Sequence, residues 1–450
     1  MASVAAELHA RGVVVTGSDK AAYPPMSTFL AERGVKVMEG YSAGNLEARP
    51  ELVVTGNAVS RGNPEVEALL NDGAMNFTSM PELIERCFLP GKRPVVVTGT
   101  HGKTTTTALA TWILKEGGLD PSWLIGGVPA GLPGGFSLSA GEPFVLEGDE
   151  YDTAFFDKRP KFIHYRPRVL ILNNLEYDHA DIYPDMERIR EVFRHLLRIV
   201  PSGGQIIANA DDPEVRALLP LCPCPVETYS IRGAVADWRG KATPGGLLVE
   251  GPDGFDLSLE HTLVGAHQGW NLLAAVAVAK AFNVAPDVVA GAVKSFAGVK
   301  RRAEKVGEAG GVTVFDDFAH HPTAIKSTLE GFRGLFPGRR IWAVVEPRSN
   351  TMRRRVFAQS LPESFADADF TLIRRVPDPE KVSAADLLDV NAISAAISAR
   401  GTPSAVFEDA GAIVEHLRIN AQGGDVVVVL SNGGFEGIHG RILAAMGKNR

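Results

Sequence analysis

An α/β fold in three domains is what this sequence predicts, and three observations carry the prediction. Apolar runs of strand length alternate with helical patterns almost from end to end. These runs are continuous in Val, Ile and Leu, the mark of parallel strands buried on both faces. At 450 residues the chain exceeds what one core can organise, and roughly 150 residues per domain gives three.

The strands read in order as "VVVTG", "LVVTG", "PVVVTG", "PFVLEGD", "RVLILNN", "GQIIANA", "VTVFDD", "RIWAVVEP", "DFTLI" and "DVVVVLSNGG". Between them the helices are amphipathic. In "DMERIREVFRHLLRIV" the residues Ile189, Val192, Phe193, Leu196, Leu197 and Val200 recur at spacings of three and four, giving one buried stripe. The patch "GKATPGGLLVEGPDGFDLSLEHTLVG" reads instead as short β-hairpins tied by Gly and Pro turns. Two hinges divide the chain, "LPGKRP" and "AGVKRRAEKVGEAGG". The domains expected are therefore residues 1–92, 93–297 and 298–450. The first and last are Rossmann-like, and the middle one is a mostly parallel sheet of the P-loop ATPase type.

Composition narrows the function. A formal charge of -7 leaves no basic surplus for neutralising a phosphate backbone, so nucleic acid is not an expected partner. Three cysteines make no disulfide framework, and the spacing of "CPC" at 222–224 suits neither a zinc knuckle nor a redox pair. No run approaches the roughly 20 apolar residues that span a bilayer. The start, "MASVAAELHARG", carries Glu7, His9 and Arg11 where a secretory signal needs its apolar run. A cytoplasmic protein with no membrane partner is the expectation.

The stretch "VVVTGTHGKTTTT" carries the chemistry. A strand, a Gly-containing turn and a helix starting near Lys103 place free backbone N–H groups and a positive helix end at one point, which is an anion site. Lys103 can reach terminal phosphates and the Thr104 hydroxyl can ligate Mg²⁺. The loop is a short one, because the usual first glycine position is Val97. Next, "LEGDEYD" ends a strand and offers Glu147, Asp149, Glu150 and Asp152, of which alternate side chains can line one cleft. "LILNNLEYDHAD" brings Asn174, Asp178 and His179 to the same edge. Carboxylate and imidazole beside a phosphate loop fit a second Mg²⁺ site, and the same spacing fits a solvated acidic loop.

"TGTHGKTT", "EGDEYD", "NNLEYDHAD", "GAHQGWNLLAA", "GVKRR" and "FDDFAHHPTAI" together resemble the ATP-dependent Mur ligases of bacterial peptidoglycan synthesis. Finer signs resemble one branch of that family: "YPPMST", "GNAVSRGNPEVEA", "TWILKEGG", "LIGGVP", "DTAFFDKRPKFIHYRPRVLILNN", "EPRSNTM" and "LSNGGFEGIHGRIL". That branch joins UDP-N-acetylmuramate to the murein tripeptide L-alanyl-γ-D-glutamyl-meso-diaminopimelate in peptidoglycan recycling. The resemblance implies an ADP-forming carboxylate-amine ligase working through an acyl phosphate, with ATP and Mg²⁺, as a monomer or weak dimer.

Residue by residue, the resemblance implies that Gly99, Thr100, His101, Gly102 and Thr105 belong to the ATP loop. Lys103 holds the β- and γ-phosphates, Thr104 the first Mg²⁺, and Glu150 with His179 the second. Arg302 reaches the phosphates from the third domain, Asp317 the ribose hydroxyls, and His267 with Asn271 frame adenine. Asn174, His320, Arg348, Ser349, Asn350, Ser431 and Asn432 read the substrates, with the "EPRSNTM" and "LSNGGF" loops on the peptide side. Asp19 and Asn57 face the uridine.

Three departures accompany the resemblance. Gln268 stands where the base segment usually has asparagine, and Phe193 where several relatives carry a carbamylated lysine. The third is that "MASVAAELHARGVVVTGSD" reads as the helix after the first strand and its turn, so an N-terminal domain without its first strand is expected and the UDP pyrophosphate loses a helix N-terminus. An upstream extension of roughly 17 to 20 residues should then lower KM for the UDP-sugar. The alternatives are the ligase that adds L-alanine to UDP-N-acetylmuramate, a nucleotide-binding protein with impaired turnover, and a P-loop kinase or ATPase switch.

Overall fold

The computed structural model describes residues 1–22 and 26–447. Tyr23, Pro24 and Pro25, the first half of "YPPMST", lie outside the described residues.

The largest sheet has ten strands. From one edge they run Phe255–Glu260, Gly246–Gly251, Trp238–Thr243, Val226–Ser230, Gln205–Asn209, Val169–Leu172, Arg93–Thr98, Pro143–Glu147, Ser122–Leu124 and Phe136–Ser137. From Ser122–Leu124 to Trp238–Thr243 every neighbouring pair is parallel. The Gly/Pro-rich patch adds antiparallel hairpins on one edge and Phe136–Ser137 pairs antiparallel on the other. Cores cover both faces. Val95, Val97, Val145 and Ile171 pack under the helices Lys103–Glu116 and Gln268–Ala281, while Val96, Leu146, Leu170 and Leu172 face the helix Met186–Arg198. Alternate residues of one strand thus enter opposite cores, which is why these strands are apolar throughout.

A second sheet of six strands runs Glu304–Ala309, Val312–Asp317, Val426–Leu430, Ile341–Val345, Phe370–Arg374 and Ser404–Phe407, parallel except for its first edge. Glu304–Ala309 lies within the expected hinge "AGVKRRAEKVGEAGG", so its residues from Glu304 to Ala309 belong to a sheet edge. Backbone pairing with Val312–Asp317 was invisible in a stretch of mixed polarity.

Residues 1–87 differ most from expectation. Their strands form two separate parallel pairs, Thr16–Asp19 with Lys36–Glu39 and Val53–Thr55 with Phe77–Ser79. The run "VVVTG" becomes strand only from Thr16, and Val14 is 93% exposed. The cause is the end of the helix Ala2–Ala10. Gly12 adopts a positive φ of 88°, its N–H bonds to the His9 carbonyl, and the Val13 N–H bonds to that of Leu8. This closing motif uses the backbone that a longer strand would need.

Candidate active site

The carboxyl ends of Arg93–Thr98, Pro143–Glu147 and Val169–Leu172 meet at a cleft of about 1170 Å³. Residues of the six-stranded sheet's loops close it from the other side, among them Arg302, Asp317, His320, Arg348, Ser349, Asn350 and Asn432.

The loop after Arg93–Thr98 is shaped by two glycines. Gly99 has φ 127° and Gly102 has φ 80°, conformations that L side chains rarely adopt. Space demands glycine as well. A Cβ at Gly99 would stand 2.9 Å from the Asn174 backbone, and one at Gly102 would stand 2.4 Å from Asn271 Oδ1. Asn174 holds the loop with both ends of its amide: Oδ1 accepts from the His101 N–H at 2.7 Å and Nδ2 donates to the His101 carbonyl at 3.3 Å. The Thr100 hydroxyl accepts from the Glu176 N–H at 2.8 Å. Asn271 is equally occupied, donating to Gln268 Oε1 at 2.8 Å and accepting from the Thr106 hydroxyl at 3.0 Å. Asn174 and Asn271 thus fasten the phosphate loop, and both also line the cleft.

Lys103 opens the helix Lys103–Glu116. Its Nζ lies 2.9 and 2.8 Å from Glu150 Oε1 and Oε2, and 2.7 Å from the Gly99 carbonyl. His179 Nε2 meets Glu150 Oε1 at 2.9 Å. Burial opposes the charge on Lys103, but the carboxylates of Glu150 and Asp149 outweigh it and hold its pKa above the usual lysine value. Burial likewise opposes ionisation of Glu150 and of His179. Lys103 and His179 nevertheless keep Glu150 below the usual carboxylate range, and Glu150 raises His179. His179 itself has φ 57°, and its ring lies 4.2 Å from that of Tyr151, tilted by 58°.

The strand ends at Glu147 and a loop follows, yet Glu147 and Asp149 both line the cleft, the alternation expected across "LEGDEYD". Asp149 reaches the cleft from that loop, paired to Lys161 at 2.6 Å, and Glu150 is buried behind the cleft residues Lys103 and His179. Glu147, present in the motif but not picked out, proves central. It accepts from the Thr104 hydroxyl at 2.9 Å and the Gly126 N–H at 2.6 Å, and burial raises its pKa. Arg302 Nη2 donates to the same Thr104 oxygen at 3.2 Å, linking the two halves of the cleft. Thr105 is buried in the helix below.

On the far side of the loop His267 is half-buried. Its Nε2 lies 2.9 Å from Gln268 Nε2, and its Nδ1 has no partner among the described residues. Burial, with help from His101 and Arg302, pushes its pKa down to about 4. Asp317 accepts from the N–H groups of Ala303 at 2.7 Å and Ala319 at 2.8 Å, and burial raises its pKa. His320 Nδ1 sits 2.9 Å from the Phe318 carbonyl, and burial lowers its pKa.

The remaining expected residues separate. Arg348 lines the cleft and makes no hydrogen bond among the described residues. The Ser349 hydroxyl accepts from the Met352 N–H at 3.0 Å, and Asn350 donates to Asp181 at 2.7 Å. Ser431, expected on the peptide side, is wholly buried and donates to Glu346 Oε2 at 2.6 Å. It shapes the loop from which Asn432 reaches the cleft. Asp19 and Asn57 do not line this cleft. Asp19 ends an exposed strand, and Asn57 donates to the Asp152 carbonyl at 3.5 Å.

Comparisons with known proteins agree along the chain. A model of the Mur ligase family catalytic domain matches residues 1–84, the Mur ligase middle domain residues 97–279, and the Mur ligase glutamate ligase domain residues 301–433. The sequence is 42% identical to the UDP-N-acetylmuramate--L-alanyl-gamma-D-glutamyl-meso-2,6-diaminoheptandioate ligase of Escherichia coli, across 97% of this chain and 94% of that one. It is 36% identical to a UDP-N-acetylmuramate--L-alanine ligase of Arthrobacter across 83% of this chain and 78% of the other. The crystal structure of a murein peptide ligase from Psychrobacter arcticus superposes with a TM-score of 0.76 at 38% identity, covering 100% of this chain and 97% of that one.

Proposed function

The chain belongs to the Mur ligase family, and from that premise we propose that it is the ATP-dependent, ADP-forming ligase that joins UDP-N-acetylmuramate to L-alanyl-γ-D-glutamyl-meso-diaminopimelate. The observation that carries the reading is two contacts at neighbouring residues of the phosphate loop's helix, Lys103 with the Glu150 and His179 pair and Thr104 with Arg302. Amide formation from a carboxylate needs that carboxylate phosphorylated first, and two anions then approach each other. Cations must surround both.

Each residue has a part to play. ATP phosphates bind at the backbone N–H groups of the loop, and Lys103 exchanges Glu150 for the β- and γ-phosphates. Arg302 moves from the Thr104 hydroxyl to the transferring phosphoryl group. The unpartnered Nδ1 of His267 meets the base. Thr104, Glu150 and His179, with Glu147 beside them, supply the hard oxygen donors and one imidazole that suit Mg²⁺. Bound there, Mg²⁺ would neutralise charge on the phosphates and on the acyl oxygen. Glu150 and His179 hold each other charged without the ion, and for His179 to turn to Mg²⁺ it would first give up its proton. The amine of the tripeptide attacks the acyl phosphate, the amide bond forms, and phosphate leaves. Arg348, Ser349, Asn350 and Asn432 would receive the peptide, with Arg348 offering a planar fork for a carboxylate.

The second reading, ligation of L-alanine, is favoured only by the more distant relatives, at 36% against 42% identity. ADP release with each amine in turn distinguishes the two. Nucleotide switching without ligation predicts ADP release that needs no amine.

A further inference from the structure

Three side chains, one of them on the phosphate loop itself, are assigned no step in the reaction described above. His101 Nε2 lies 3.2 Å from Glu176 Oε2, and His321 Nδ1 lies 3.3 Å from the same oxygen. All three atoms are within 4.8 Å of one another. The two rings approach to 4.7 Å between centroids, inclined at 56°. His101 comes from the phosphate loop and Glu176 from the loop after Val169–Leu172, whereas His321 caps the helix Pro322–Leu335 beside the six-stranded sheet.

The hydrogen bonds fix one tautomer. The Thr323 N–H donates to His321 Nδ1 at 3.3 Å, which makes that nitrogen an acceptor, and His321 Nε2 lies 3.3 Å from the Tyr177 carbonyl, to which only an N–H can donate. The one lone pair of Nδ1 accepts the Thr323 N–H, so an ion bound beside the Glu176 oxygen, 3.3 Å away, would take that N–H's place. A carbonyl taking the far N–H of a ring is also the arrangement that orients metal-binding histidines. Glu176 Oε2 is further fixed by the Thr323 hydroxyl at 2.7 Å.

The spacing selects the ion. Tetrahedral zinc with bonds of roughly 2.0 to 2.1 Å places its ligand atoms about 3.3 Å apart. Two imidazoles and one carboxylate, with a fourth position open to water, suit Zn²⁺ far better than Mg²⁺ or Ca²⁺, which prefer oxygen. We infer that His101, Glu176 and His321 form a site for Zn²⁺ or a similar borderline divalent metal, separate from the Thr104, Glu150 and His179 group, and that the ion fastens the phosphate loop to the helix Pro322–Leu335. The ion would thereby hold the two sides of the cleft together.

The test is calorimetric titration of the metal-freed full chain with ZnCl₂ in saturating MgCl₂. One Zn²⁺ per chain is expected for the unaltered protein and for His179→Gln, and at least tenfold weaker binding for His321→Gln and Glu176→Gln. Co²⁺ in place of Zn²⁺ needs no variant and should show the intense visible bands of a four-coordinate ion. Zn²⁺ binding unchanged in His321→Gln, binding lost in His179→Gln alone, or the weak spectrum of six-coordinate Co²⁺ would each overturn the site.

Discussion

The ammonium of Lys103 and the carboxylate of Glu150 form an ion pair at 2.8 Å, with the two side chains only 13% and 6% exposed. The lysine that would serve the phosphates is thus held by a carboxylate, and removing either charge takes away the other's nearest counter-ion. Lys103→Met should lower kcat for ADP formation by roughly a hundredfold or more and destabilise the ligand-free chain by about 3 kcal/mol, because buried Glu150 is left with His179 as its one close charged partner among the described residues. Adding Glu150→Gln should restore much of the stability and none of the activity. Denaturant unfolding and ADP release measure the two effects, and a stable, active Lys103→Met would contradict the assignment.

Arg301 and Arg302 are adjacent in sequence but differ in function. Arg302 reaches Thr104 across the cleft, whereas Arg301 donates to the carbonyls of Ser431 at 2.6 Å and Gly433 at 2.8 Å and pairs with Asp316 at 3.1 Å. Arg302→Ala should cost roughly tenfold to a hundredfold in kcat with little change in Tm. Arg301→Ala should instead lower Tm. Paired kinetic and thermal measurements showing the opposite assignment would reverse the roles.

His267 gives the chain a pH-dependent stability. Its folded pKa is about 4 against a usual 6.5, so the unfolded chain takes up a proton that the fold rejects. Its contribution is complete above pH 6.5 and is lost as pH falls towards 4. His267→Gln removes this titration. The stability difference between the two proteins should therefore slope by up to about 1.36 kcal/mol per pH unit within that window and be flat above it. Parallel curves from urea unfolding at several pH values would contradict the burial argument.

Arg348 stands in the cleft without a hydrogen-bond partner among the described residues, which leaves its fork free for a carboxylate. Arg348→Ala should raise KM for the tripeptide at least tenfold and leave KM for ATP nearly unchanged. Equal effects on both would place Arg348 elsewhere in the mechanism.

Much of this was legible in the sequence, because it depended on neighbours in the chain. The phosphate loop, the helix from Lys103 and the parallel strands follow from local pattern. Residues whose role depends on distant contacts were not legible. Glu147 matters because it takes Gly126 and Thr104 together, and Ser431 is buried because Glu346 lies beneath it. Asn174 and Asn271 are expected as ligand contacts from sequence, and only the fold shows that they also hold the phosphate loop. His321 stood out no more than its neighbour His320 until Glu176 and His101 were found against it.

The most direct measurement is ADP release from ATP with UDP-N-acetylmuramate and one amine at a time. The account predicts rapid ADP formation with L-alanyl-γ-D-glutamyl-meso-diaminopimelate, none above background without an amine, and little with L-alanine. Turnover with L-alanine and none with the tripeptide, or ADP release that needs no amine, would contradict it.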